Sequence, residues 1–106
     1  MHLQYNNILD IIRNKAKEIM PEDAKLILFG SQARKDADEE SDWDLLLLLN
    51  KNDISDADYN NYVWPLVQLG WNVGEYFSVK MYSTQDWNSR KSTPFYKNVE
   101  REGILL

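Results

Sequence analysis

The five consecutive leucines Leu45–Leu49 constrain the fold more than any other feature of the chain. A strand with one wet face alternates apolar and polar residues, whereas an unbroken apolar run has to be covered on both faces. The run is entered through Asp42-Trp43-Asp44. Residues 42–49 are therefore expected to form a strand whose first residues are open and whose remainder lies between two layers. A second short run, Lys25-Leu-Ile-Leu-Phe29, stops at Gly30 and reads as another buried strand.

Helices supply the covering layers. Ile8, Ile11, Ile12, Ala16, Ile19 and Met20 fall on one helical face over residues 6–20, with Asn6 or Asn7 as the cap and Pro21 just past the end. Ser31 to Arg34 can open a helical turn, and residues 36–40 form a polar loop. Ser55-Asp-Ala-Asp58 resembles a capping box with Asp in place of Glu. Tyr59, Tyr62, Val63, Leu66, Val67 and Leu69 continue from it at helical spacing. Pro65 is expected to kink or interrupt that helix, and Gly70 to cap its end. Val73–Tyr82 reads as a third strand, Thr84 as the cap of a short turn through Trp87, and Thr93-Pro94 as the start of a last helix ended by Gly103. This order predicts an α+β or α/β domain, a small mixed sheet backed by helices.

The chain has 106 residues and no Cys, which excludes disulfides, thiolate zinc and a thiol nucleophile. Its one histidine, His2, is read as exposed and idle and leaves nothing for a Ser-His-Asp triad. No apolar run approaches a membrane span and the N-terminus carries no secretory pattern, so a cytoplasmic protein with no membrane association is expected. The net charge is −5, which argues against strong nonspecific nucleic-acid binding. The charge is concentrated: residues 36–58 hold nine acids and one base, and the remainder is mildly basic.

Within that acidic segment Asp42 and Asp44, two apart on a strand, project from one face, and Trp43 points the other way into packing. Two such carboxylates repel unless a cation sits between them. A hard divalent ion resolves this, and Mg²⁺ characteristically takes one or two carboxylates plus substrate phosphates. Gly30 ends a strand and lets the backbone approach a ligand closely. Ser31 offers a hydroxyl and an N–H at the start of a turn, and Arg34 can reach phosphate or hold an acid. A serine nucleophile is not expected, because nothing is available to activate it.

Together these residues read Gly-Ser-x10-Asp-x-Asp. The stretch GSQARKDADEESDWDLLLLL resembles the signature of the DNA polymerase β-like nucleotidyltransferases, and most closely that of the minimal nucleotidyltransferase domains. The resemblance implies the nucleotidyltransferase, polymerase β palm-like fold, with residues 1–106 as a single domain. It implies that Gly30, Ser31 and Arg34 bind the nucleotide, with ATP the expected substrate, and that Asp42 and Asp44 ligate two Mg²⁺ ions. The family's glycine after Ala-Arg is Lys35 here. Active members usually carry a third acid on the next strand. Glu75 is the acid available there, and an alternative alignment places Ser78, Val79 or Lys80 at that position.

The resemblance implies transfer of a nucleoside monophosphate to an acceptor hydroxyl. It also implies an alternative, an antitoxin that binds a HEPN-domain toxin or places AMP on a tyrosine of it. This chain has no Arg-x4-His motif and is not itself such a toxin. A catalytically degenerate nucleotide-binding module is the third reading. Trp43, Trp64, Trp71 and Trp87 are read as core or interface anchors, which allows a homodimer. Tyr59 and Tyr62 are read as helix packing, and Lys91, Lys97 and Arg101 as a solvated helix face.

Overall fold

A computed structural model describes residues 3–38 and 40–106. His2 and Glu39 lie outside the described residues, so the reading of His2 is not addressed by the structure. Helix α1 (Tyr5–Ile19) leads into β1 (Lys25–Phe29), which passes into the short helix α2 (Gly30–Arg34). Strand β2 (Trp43–Leu49) follows, then a helical stretch made of α3 (Asp56–Asp58), a π-helical turn (Tyr59–Val63) and α4 (Trp64–Asn72). Strand β3 (Phe77–Ser83), helices α5 (Thr84–Ser89) and α6 (Pro94–Glu102) and the two-residue strand β4 (Ile104–Leu105) complete the order.

Among the described residues four strands form one sheet in the order β3-β2-β1-β4. The β2–β3 pair is parallel and the β1–β2 and β1–β4 pairs are antiparallel, so the fold is α+β with a mixed sheet, as expected. The leucine run lies at the centre and is covered on both faces. Leu45, Leu47 and Leu49 pack with Ile8, Leu9 and Ile12 of α1, together with Trp43, Leu66 and Phe77. Leu46 and Leu48 pack on the other face with Trp87 and Val99. The five leucines are all buried. At about 1.5–3 kcal/mol for each fully buried leucine side chain, this strand is the largest single contribution to the core.

Several local expectations are corrected. The first helix starts at Tyr5, earlier than an Asn6 or Asn7 cap allows, and Gln4 at its N-cap makes no side-chain hydrogen bond. Pro65 does not interrupt its helix. The turn before it widens to π, with the Trp64 N–H donating to the Tyr59 carbonyl, which absorbs the missing proline donor inside a continuous helical stretch. Gly70 lies within α4 rather than after it, and the end is made by Gly74 at φ +77°. The Glu75 N–H donates to the Gly70 carbonyl at 2.8 Å and the Gly74 N–H to that of Trp71 at 3.2 Å, the two bonds of a Schellman motif. The third strand consequently begins at Phe77, not Val73. Ser83, not Thr84, caps α5 by accepting from the Asp86 N–H. Tyr59 is exposed rather than packed.

The expected ends of the later helices are present. The Ser55–Asp58 capping box is formed, Thr93 caps α6 by accepting from the Tyr96 N–H, and Gly103 follows that helix. Trp43 and Trp87 are core residues, while Trp64 and Trp71 are exposed and stack edge to face on the helix surface. Among the described residues no helix is long and apolar enough to cross a membrane.

Candidate nucleotide and metal site

Three elements meet at one end of the sheet. β2 and β3 are parallel, so both begin there, and antiparallel β1 ends there. Phe29, the last residue of β1, pairs with Asp44. The chain passes from β1 into α2 without a loop, with Gly30 at φ +74°. A Cβ on Gly30 would fall 3.2 Å from Asp44 Cγ and closer still to a carboxylate oxygen. Gly30 is thus required twice, by its left-handed backbone and by the Asp44 side chain lying against it.

Asp42 is exposed and Asp44 is partly buried. The loop leading to them is closed on itself: the Ser41 hydroxyl donates to the Asp38 carboxylate, and the Ser41 N–H donates to the Asp38 carbonyl. Burial, and after it the charge of Asp42, push the Asp44 carboxyl above its usual range, while the fields of Lys80 and Arg34 oppose the shift. This is the electrostatic state of a carboxylate pair to which a bound cation would bring relief.

Helix α2 is anchored on both sides. The Tyr5 hydroxyl donates to the Gln32 carbonyl at 2.9 Å, and the Gln32 amide to the Ser41 carbonyl at 3.4 Å. Arg34 donates to Asp36 at 3.1 Å and to Glu102 of α6 at 3.0 Å, and it holds the Glu102 carboxyl below its usual range. Arg34 is therefore a tie between α2 and α6 whose charge reaches Asp44. Glu102 carried no signal in the sequence, since it stands far from Arg34 along the chain.

Glu75 stands apart from this group. Its backbone belongs to the Schellman motif, and it lines a cavity of about 150 Å³ with Leu3, Tyr5, Ile8, Gln32, Asp38 and Trp43. Trp43 points away from the Asp42–Asp44 face, and so does this cavity. The residue of β3 paired with Asp44 is Ser78, and Lys80 follows on the same face, opposite Leu46. Among the described residues no three His, Cys, Asp or Glu side chains are grouped so as to hold a metal ion. The donor set at Asp42 and Asp44 suits one hard divalent ion completed by phosphate oxygens. Among the described residues no third carboxylate joins it to hold a second.

Comparison with known proteins bears on the family and the fold. The model of the nucleotidyltransferase domain family matches residues 9–100. A protein of Methanocaldococcus jannaschii, named for an inferred protein adenylyltransferase activity, is 33% identical over 82 residues, 77% of this chain and 76% of that protein. A crystal structure of a toxin–antitoxin with AMP-PNP superposes with a TM-score of 0.54 at 19% identity, covering 97% of this chain and 72% of the other. A mutant of the MntA–HpeT toxin–antitoxin, in which two aspartates two positions apart are replaced by glutamate, gives 0.54 at 17% identity with the same coverage. At these identities the structural likeness is one of fold. With its family model running from the first helix to the last, the chain belongs to the nucleotidyltransferase domain family.

Proposed function

We propose that this chain transfers the AMP of ATP to a hydroxyl of a protein acceptor, using one Mg²⁺ held by Asp42 and Asp44. The observation that carries the reading is the Asp44 carboxylate lying against Gly30 at the start of α2, with Asp42, just before the start of β2 at Trp43 rather than in the strand as expected, near enough for its charge to act on Asp44. In this reading Ser31 offers its hydroxyl and N–H to the triphosphate. Arg34, fixed by Asp36 and Glu102, holds α2 at its angle to the sheet. The acceptor oxygen attacks the α-phosphorus, the bond from that phosphorus to the bridging oxygen breaks, pyrophosphate leaves, and the hydroxyl proton passes to water. When bound, the ion supplies charge neutralisation on the phosphates and a lowered pKa for the attacking hydroxyl. The protein's own part is positioning and electrostatics, the general pattern of phosphoryl-group transfer. Glu75 has no role in this reading.

Support comes from the family, from the relative named for adenylyl transfer to protein, and from the carboxylate pair. A second reading, binding of a HEPN-domain toxin, is favoured by the exposed Trp64–Trp71 pair and by the fold shared with toxin–antitoxin proteins. One experiment addresses both. The protein is incubated with Mg²⁺ and ATP labelled at either the α- or the γ-phosphate, together with the product of any adjacent gene that encodes a small helical protein with Arg-x4-His. Transfer of the α-label alone is expected. Stable complex formation with no label transferred would favour the binding role, and transfer of the γ-label would contradict the reaction.

A further inference from the structure

The register of β3 raises a question of charge. A bound triphosphate carries about four negative charges near neutral pH, and one divalent ion offsets only part of them. The residue paired with Asp44 is Ser78, which brings no charge, and the next residue on that face of β3 is Lys80. Lys80 is exposed, and among the described residues it has no ion-pair or hydrogen-bonding partner. Arg34 is already committed to Asp36 and Glu102. Among the described residues Lys80 is thus an uncommitted cation on the face that carries Asp44, and its charge is felt at that carboxylate, whereas Lys25, also on that face, stands at the far end of β1 opposite Leu48. Its Cα lies about 6–7 Å along the strand from that of Ser78, a distance its four-carbon stem can span back toward the carboxylates.

We propose that Lys80 takes the place of a third acid: the site holds a single divalent cation between Asp42 and Asp44, and the Lys80 ammonium supplies the further positive charge to the bound triphosphate. A lysine suits this task because its ammonium is a compact point charge that meets phosphate without a fixed fork geometry. The inference rests on the nucleotide reading above. Its competitor is a lysine that merely blocks an open sheet edge, since β3 is an edge strand.

Mn²⁺ and an ATP analogue that cannot be cleaved between its α- and β-phosphates serve as probes. Bound ions per chain are counted by the loss of the free-Mn²⁺ resonance, and analogue affinity is measured by calorimetry. The unaltered protein is expected to bind one ion. Lys80→Met should still bind one ion while holding the analogue about tenfold more weakly. Lys80→Glu, which places a third carboxylate beside the pair, should bind two ions. Two ions in the unaltered protein, one ion in Lys80→Glu, or undiminished analogue affinity in Lys80→Met would each overturn the inference while leaving the nucleotide reading intact. If the unaltered protein binds neither probe, or Asp42→Asn/Asp44→Asn binds both as tightly as the unaltered protein, the nucleotide reading falls and takes the inference with it.

Discussion

A few residues hold backbone or charge states that their neighbours dictate. Lys35 sits at φ +63°, the left-handed region, where the family pattern has glycine. Its ammonium lies 5.8 Å from the centre of the Tyr5 ring. Lys35→Gly should therefore be at least as stable as the unaltered protein, and Lys35→Val about 1–2 kcal/mol less stable than Lys35→Gly, read by urea denaturation. Equal stability of the two variants would mean that the position is unstrained. Asp58 is a second such residue. It accepts from the Ser55 N–H and from Lys51, both at 2.9 Å. The Ser55 backbone bond first, and Lys51 second, hold its carboxyl below the usual range. The ionised form is thus favoured in the folded state. That stabilisation is complete above the unfolded carboxyl pKa of about 3.9 and is lost as pH falls through the lower folded value. Asp58→Asn should cost about 1–2 kcal/mol at pH 7, and the gap to the unaltered protein should close in acid. A gap that persists at low pH would assign the loss to something other than charge.

Helix and strand identity was legible because it rests on local chemistry. The leucine run, the 3.6-residue spacing of Ile8, Ile12 and Ile19, and the Ser55 and Thr93 caps act through neighbours in sequence. What was hidden depends on contacts that sequence spacing does not encode. The end of α4 turns on which of two glycines serves as its stop. Gly70 is buried against Phe77, so a Cβ there would approach Phe77 Cγ to 2.8 Å, whereas Gly74 has open space and a positive φ. That choice moves the start of β3 to Phe77 and leaves Glu75 in the turn before the strand. β4 was invisible because two residues are too few for a pattern, and their pairing to Ile27 and Leu28 is supplied by β1. Gly70→Ala should lose about 1–2 kcal/mol by chemical denaturation despite alanine's better helix propensity, because the methyl overpacks Phe77. A gain in stability would show that α4 can shift away from the sheet at no cost.

At the scale of the whole molecule, the sheet order places the start of β2, the start of β3 and the end of β1 together, and α2 leaves the sheet at that same end. The −8 charge of residues 36–58 is thereby divided. Asp58 caps a helix, Asp36 braces Arg34 and Asp38 closes a loop, while Asp44 lies against Gly30 with the charge of Asp42 acting on it. The Gly-Ser and Asp-x-Asp elements were legible because each is short and local. That no third acid joins them among the described residues was not, because Ser78 faces Asp44 only through the β2–β3 register. The most direct test of the account is thermal unfolding with increasing Mg-ATP, for the unaltered protein and for Asp42→Asn/Asp44→Asn. The double variant should fold, since neutral amides carry neither the burial cost nor, after it, the Asp42 repulsion that raise the Asp44 carboxyl. The unaltered protein should gain stability with ligand, by about 2.7 kcal/mol at a hundred times its Kd, and the double variant should gain none. An equal rise in both, or no rise in the unaltered protein at millimolar Mg-ATP, would contradict a metal-bridged nucleotide at Asp42 and Asp44.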